Sequence, residues 1–304
     1  MTTNNRPRVE RQGAISLRMQ YNTLMIIDGK QLQKDLLSGL AKRIENLKTK
    51  GVIPGIAIVT LGPEETWEAY VGQKIKLANK LGVNKILINL RPKTTGEVLK
   101  AIETLNVDSD IHGLIVQRPF PTYIDTEEII QSVSKDKDID GFRNDSLYQV
   151  PVWLAVRYLL SQTGRLLTAS EFKFWLSNQS ILVVGKGETA GTPVIDGLLK
   201  LGIKCIVMDS KTDDRDKLFE KADIIVFATG KHIDVPFSKL KKNTILIGIG
   251  LHRKDGKLEG DFDENEAKSH VLYYTPSPGG VGPLNLYFLF DNLITAAERS
   301  TKNE

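Results

Sequence analysis

The run Ser180-Ile181-Leu182-Val183-Val184-Gly185-Lys186-Gly187-Glu188-Thr189-Ala190-Gly191-Thr192-Pro193 constrains this chain more than any other stretch. A short apolar strand feeds a glycine-rich turn, and a helical pattern follows to Gly202. Glycine permits a tight turn and a close backbone approach to a pyrophosphate. The helix N-terminus behind it offers free N–H groups and the positive end of its dipole. The third glycine comes one residue late for G-x-G-x-x-G, so the order strand, turn, helix, strand is what gives the motif weight. Gly185, Lys186, Gly187, Glu188 and Gly191 are therefore candidate dinucleotide-binding residues, with an ordinary strand-to-helix turn as the alternative. The next strand ends in Met208-Asp209-Ser210-Lys211-Thr212. An acid about 20 residues past the glycines suits a ribose 2′-OH and hence NAD. Lys186 and Lys211 equally suit a 2′-phosphate and hence NADP, and Asp209 can also cap a turn. The choice stays open on these residues.

The same alternation runs through the rest of the chain. Met25-Ile26-Ile27 precedes a helix patterned by Leu32, Leu36, Leu37, Leu40 and Ile44. Strands are expected over 55–62, 85–90 and 111–119, the last stopping at Pro119, and then over 204–209, 222–230 and 243–250. Helices are expected over 66–82 with Gly82 as the stop, 96–106, 127–134 and 153–164. Alternation of this kind predicts an α/β protein with parallel sheets covered by helices on both faces. At 304 residues, two domains are expected, one of them Rossmann-type.

Composition narrows the function classes. The 41 Lys+Arg exceed the 37 Asp+Glu by only four, dispersed along the chain, which argues against a nucleic-acid partner. No apolar stretch approaches the roughly 18 residues of a spanning helix, which argues against a membrane. Cys205 stands alone and His112, His232, His252 and His270 are scattered, so no metal is expected. Residues 1–21 carry Arg6, Arg8, Arg11 and Arg18 against one acid, Glu10, without an apolar core. That excludes a secretory signal and leaves two readings of residues 1–24: a disordered extension, or an organellar targeting segment. Cytoplasmic residence is the expectation under the first.

Four further groups bear on chemistry. Tyr70 and Lys74 lie four apart and share a helix face. A lysine held out of water has its pKa lowered toward a value useful in proton transfer, and a phenol beside it can orient it. Such pairs also occur on solvated faces. Short-chain dehydrogenases place theirs after the glycine turn, whereas this pair precedes it. Gln117 and Pro119 close a strand at its carboxyl end, where open α/β sheets gather ligand groups, and Gln can both donate and accept. Asp138 and Asp140 sit on an acidic loop. They read either as solvated acids or as a carboxylate for the paired N–H groups of an amidine-like heterocycle. Thr275-Pro276-Ser277-Pro278-Gly279-Gly280-Val281-Gly282-Pro283 imposes an unusual backbone path, either as a hinge or as a wall against a ligand.

In chain order, YVGQK (70–74), HGLIVQRP (112–119), KDIDG (137–141), VGKGETAGTP (184–193), ATG (228–230) and PSPGGVGP (276–283) resemble the landmarks of the bifunctional methylenetetrahydrofolate dehydrogenase/methenyltetrahydrofolate cyclohydrolase family. The resemblance runs from about Met25 to the C-terminus. It implies a homodimer whose subunit has a catalytic folate lobe, residues 25–150 plus 284–304, and a Rossmann lobe, residues 151–283. The substrate would be a tetrahydrofolate derivative bound in the cleft between them, the cofactor NADP or NAD, with no metal. Lys74 would be the central acid/base group, Tyr70 would pack beside the folate, Gln117 would tune Lys74 and Asp140 would hold the pterin. Pro119, Gly280 and Val281 would line the cleft, while Asp209, Ser210, Lys211, Thr229 and Gly230 would join the glycine turn around the cofactor. Oxidation of methylenetetrahydrofolate and hydrolysis of the methenyl product would supply one-carbon units, including those for purine biosynthesis.

The chain departs from the family pattern at four places. Val150-Pro151-Val152-Trp153 replaces Pro-Cys-Thr-Pro after a segment shortened by about ten residues, a loop where deletions collect. Lys186-Gly187 replaces Arg-Ser, Asp209 replaces a neutral or basic residue, and Asn285 replaces Thr. Three rival readings accompany the resemblance: a dehydrogenase only, a different Rossmann oxidoreductase with a non-folate substrate, and a catalytically idle folate- or nucleotide-binding paralogue.

Overall fold

The computed structural model describes residues 25–163 and 168–302; the extension read over residues 1–24 lies outside them. The first lobe is built on a parallel three-stranded sheet of β2 (Gly55–Leu61), β3 (Asn84–Leu90) and β4 (Gly113–Gln117), with β2 in the middle. Every residue of β2 is buried, because strands flank both edges and helices cover both faces. On one face Ile56 and Ile58 pack on α1 (Gly29–Lys48) and α2 (Glu68–Leu81). On the other, Ala57, Val59 and Leu61 pack on α3 (Thr95–Val107) and α4 (Thr126–Ser132). Asp28 caps α1 by accepting from the N–H groups of Lys30 and Gln31, an interaction typically worth ~1 kcal/mol. Gly82 ends α2 at φ 67°, the left-handed turn that glycine adopts without strain.

The second lobe carries a six-stranded parallel sheet. Its strands are β1 (Met25–Ile26), β5 (Ile181–Val184), β6 (Ile206–Met208), β7 (Ile224–Phe227), β8 (Ile245–Gly248) and β11 (Tyr273–Tyr274), in the order β1-β11-β8-β7-β5-β6. β6 and β7 leave β5 on opposite sides, so a crevice opens beyond the carboxyl ends of β5 and β7. Helices α5 (Pro151–Thr163), α6 (Ala169–Ser177) and α7 (Gly191–Lys200) cover one face. Helices α8 (Arg215–Lys221) and α9 (Glu264–His270) cover the other. A hairpin, β9 (Leu251–Lys254) and β10 (Lys257–Gly260), turns at Asp255-Gly256, both with positive φ, as a two-residue turn of twisted strands demands. No helix among the described residues is long and apolar enough to cross a membrane.

Both ends of the folate lobe also touch the second lobe. Met25–Ile26, expected in the folate lobe, pairs with Tyr273–Tyr274 in the second lobe's sheet, and Ile27 is buried in that lobe's core. An isolated two-residue strand has too little surface to stand alone, so it completes the open edge beside β11. The last helix, α10 (Val281–Ser300), begins three residues before the expected 284 and serves both lobes. Val281 and Leu284 join the second core, while Leu289, Phe290, Leu293 and Ala297 join the first. Arg43 of α1 fastens α10 by donating to Glu298 (2.8 and 2.9 Å), Thr295 (2.9 Å) and Asp291. Asn292, buried on α10, donates to the carbonyls of Ile139 and Gln149 at 2.8 and 3.0 Å, pinning the acidic loop from behind.

Candidate active site

α2 is held by its buried stripe of Val71, Leu77, Ala78 and Leu81, and this register turns Lys74 toward the carboxyl end of β4. There Lys74 Nζ donates to Gln117 Oε1 at 2.8 Å. The Gln117 amide is oriented by its own Nε2, which donates to the Arg118 carbonyl at 2.8 Å, so its oxygen is the atom left for the lysine. Burial pushes the Lys74 pKa down, and the charge of Asp140 opposes that shift in part. Lys74 is therefore half-buried and engaged by Gln117, not free on a solvated face. Tyr70, one turn earlier on the same helix, is 61% exposed and presents an open aromatic surface.

The two loop acids divide. Asp138 is buried and its carboxylate accepts from the N–H groups of Arg143 (3.0 Å) and Phe142 (3.4 Å), while burial pushes its carboxyl pKa up. It organises the loop. Asp140 is half-buried, and its charge acts on both Lys74 and Arg118. The shortened segment after Gly141 does not release it. Gly141 has φ 73°, and a Cβ there would meet the backbone of Tyr148, Gln149 and Val150 at 2.8–2.9 Å. Tyr148 is buried and its hydroxyl donates to the Asp136 carbonyl at 2.9 Å, closing the loop on itself.

Across the cleft, Gly185 has φ 94°, and a Cβ on it would stand 2.7 Å from the Ala228 carbonyl oxygen. A Cβ on Gly191 would stand 2.1 Å from the Gly185 carbonyl oxygen. The turn after β5 thus folds tightly against the loop after β7 at the switch point of the sheet, with α7 starting at Gly191. Thr229 bonds the buried Asp261 at 2.7 Å, and Asp261 also accepts from the Gly250 N–H at 2.8 Å. Gly230 has φ 62°. Asp209, the residue after β6, accepts from the Lys211 N–H at 2.9 Å and pairs with Lys186 Nζ at 2.8 Å. Its carboxyl is lowered to about 2, by Lys186 first and then by the Lys211 N–H. The carbonyl of Ser210 accepts from Arg215 at 2.8 Å. A glycine cradle at a helix N-terminus, with an ionised acid at the end of the next strand, fits an adenine dinucleotide. Among the described residues no three His, Cys, Asp or Glu side chains group to hold a metal ion.

Gly280 and Val281, expected to line the cleft, are both packed inside the protein. Val281 is buried in the second lobe's core. Gly280 is packed so closely that a Cβ would meet the Thr275 Cβ at 2.5 Å, while its carbonyl oxygen lies 1.8 Å from where a Gly29 Cβ would be. Glycine is needed there because the start of α1 docks on this loop, with the Lys30 N–H donating to the Gly279 carbonyl at 3.1 Å. Pro119 follows Arg118 through a cis peptide bond at the end of β4. Arg118 itself, and the Asp261 anchor, were not among the expected site residues. Position beside Gln117 at a strand end was the available signal for Arg118; nothing local marks Asp261, which acts from 32 residues away.

Residues 27–140 match the family described as tetrahydrofolate dehydrogenase/cyclohydrolase, catalytic domain, and residues 163–301 match its NAD(P)-binding domain. The Bifunctional protein FolD of Bacillus licheniformis is 34% identical over 280 residues, covering 91% of this chain and 99% of that protein. The crystal structure of the bifunctional FolD methylenetetrahydrofolate dehydrogenase/cyclohydrolase from Campylobacter jejuni superposes with a TM-score of 0.82 at 29% identity, covering 91% and 99% of the two chains. The Trypanosoma brucei enzyme, solved with NADP cofactor and an inhibitor, also gives 0.82, at 25% identity and 92% and 99% coverage.

Proposed function

We propose, since the chain belongs to the tetrahydrofolate dehydrogenase/cyclohydrolase family, that it oxidises 5,10-methylenetetrahydrofolate with a nicotinamide dinucleotide and hydrolyses the methenyl product to 10-formyltetrahydrofolate. The observation that carries this reading is the half-buried Lys74 amine on Gln117 at 2.8 Å, in a chain that also carries a glycine-rich dinucleotide turn. A packed fold does not require that polar pair, so it argues against an idle paralogue. The bound dinucleotide supplies the two-electron acceptor that no side chain offers. The chain's residues supply position and protons. Asp140 holds the pterin through paired hydrogen bonds, and Tyr70 packs on its open side. In the hydrolytic step, neutral Lys74 takes a proton from the water that adds to the methenyl carbon. Gln117, held by the Arg118 carbonyl, keeps the amine aimed.

Asp209 supports NAD over NADP. Its ionised carboxylate occupies the end of β6, where a ribose 2′-OH can donate to it and a 2′-phosphate meets like charge. Lys186, the cation best placed to offset that phosphate, is engaged by Asp209. The test is a spectrophotometric assay with methylenetetrahydrofolate, run separately with NAD and NADP. NAD should be preferred by kcat/KM, and Asp209→Ser should move the preference toward NADP by about tenfold or more, the size of one charge-assisted contact. No reduced nicotinamide with either cofactor overturns the dehydrogenase reading. Preference for NADP in the unaltered protein overturns only the role of Asp209.

A homodimer is part of the same proposal. β3 is an edge strand, paired on one side with β2, and Ile86 and Leu87 are exposed on its two faces. An unpaired apolar edge is a template for another strand, and a second β3 related by a two-fold axis supplies one. Light scattering after gel filtration should give a dimer mass. The double substitution Ile86→Lys, Leu87→Lys should give a monomer, and a monomeric unaltered protein would remove the dimer from this account.

A further inference from the structure

Arg118 sits between the lobes. It follows Gln117 at the end of β4, its side chain is 13% exposed, and its guanidinium carbon stands 3.8 Å above the centre of the Phe142 ring. Nη1 approaches Glu188 Oε2 at 3.6 Å, and Nη2 is buried without a hydrogen-bond partner among the described residues. Glu188 lies in the Gly185–Gly191 turn of the opposite lobe, and its own side chain is 77% exposed. A firm charge-assisted bond runs at about 2.7–2.9 Å, so the Glu188 contact is loose. A guanidinium carries five donors in a rigid fork, and burying it without acceptors is costly. Burial pushes the Arg118 pKa down, with Asp140, Glu188 and Asp138 pulling it back. An arginine so placed is built to receive acceptors from outside the chain.

We propose that Arg118 is a dinucleotide-binding residue donated by the folate lobe, taking an anionic pyrophosphate oxygen of the cofactor while Glu188 keeps its place beforehand. Arg118 also feels the charge of Asp140 in its own lobe, but its one ion-pair partner within 4 Å among the described residues, Glu188, is on the phosphate turn before α7, and that favours the dinucleotide over the folate. The Phe142 face keeps the guanidinium in the cleft and leaves its edge free to donate. A contact from the opposite lobe makes cofactor binding draw the cleft together. Glu188 then acts as a competitor, because its carboxylate contends with the phosphate for one cation.

This inference rests on the dinucleotide reading above, and the experiment separates the two. NAD is titrated calorimetrically, without folate, into the unaltered protein and into Arg118→Leu, Arg118→Lys and Glu188→Gln. Arg118→Leu should raise Kd by about tenfold to a hundredfold. It should also flatten the dependence of Kd on salt. Arg118→Lys should recover part of the loss, and Glu188→Gln should tighten binding severalfold. In the coupled assay the rise should appear in KM for NAD and not in KM for the methenyl substrate of hydrolysis. A Kd for Arg118→Leu within twofold of the unaltered protein overturns the assignment, as does a rise confined to the folate KM. Should Arg118→Leu fail to fold, weaker or equal binding by Glu188→Gln overturns it instead. An unaltered protein that binds neither NAD nor NADP refutes the dinucleotide reading together with this one.

Discussion

Lys74→Met should lower the rate of methenyl hydrolysis by a factor of about a hundred to ten thousand, the range that a positioned proton-transfer group contributes. Methionine keeps most of the length and the apolar stem while removing the amine. The folate pocket keeps its shape, and Gln117 loses only its partner. The pH dependence gives a second reading of the same group. Burial lowers the Lys74 pKa, and the working form is the neutral amine. Hydrolysis should therefore rise as pH increases through the lowered pKa and fall below it, where the ammonium has no lone pair to accept a proton. Gln117→Glu places a negative charge against Lys74, favours the ammonium, and should move that limb to higher pH. Measured kcat for hydrolysis across pH tests both statements; an undiminished rate in Lys74→Met would remove the lysine from the chemistry.

Gly191→Val should reduce dehydrogenase kcat/KM by about a hundredfold or more, which a 1 Å misplacement of a reacting group can cost. Even a Cβ at this position would lie 2.1 Å from the Gly185 carbonyl oxygen, and the obstacle is backbone on both sides, so the turn itself must open. That moves the start of α7 away from the ends of β5 and β7. The residues proposed for hydrolysis, Lys74, Gln117 and Asp140, stand on the other lobe, so methenyl hydrolysis should fall far less. The split between the two activities, measured on one preparation, distinguishes a damaged cofactor turn from a damaged fold. Dehydrogenase activity within threefold of the unaltered protein would show that the close approach at Gly191 is not needed.

Much of the fold was legible because parallel α/β sheets write themselves in short apolar runs and helical stripes. The buried strands β2, β5, β7 and β8 are apolar along their length and bounded by Gly, Pro or polar residues. The short elements were not legible. β1 and β11 are two residues each and exist only as partners. Helices α8 and α9 have seven residues and too little period to stand out. The hairpin β9–β10 carried an Asp255-Gly256 signal that flanking charged residues obscured. At the candidate site, the motifs singled out Lys74, Gln117, Asp140 and the glycine turn, and the structure brings Lys74 onto Gln117. That Gly280 packs against the start of α1 and Val281 enters the second core was not legible, because both contacts are made with residues distant in sequence.

The glycine-rich run and its strand–turn–helix setting determined by themselves that one lobe is a dinucleotide fold, because local periodicity and the need for glycine at a tight turn are properties of adjacent residues. The Tyr70–Lys74 spacing likewise determined a shared helix face. Tertiary structure alone decided which face is dry, which of Asp138 and Asp140 is structural, and that Arg118 reaches Glu188 across 70 positions of sequence. Desolvation and charge pairing arise between residues brought together by folding, and their strength depends on distances in space that no sequence spacing records.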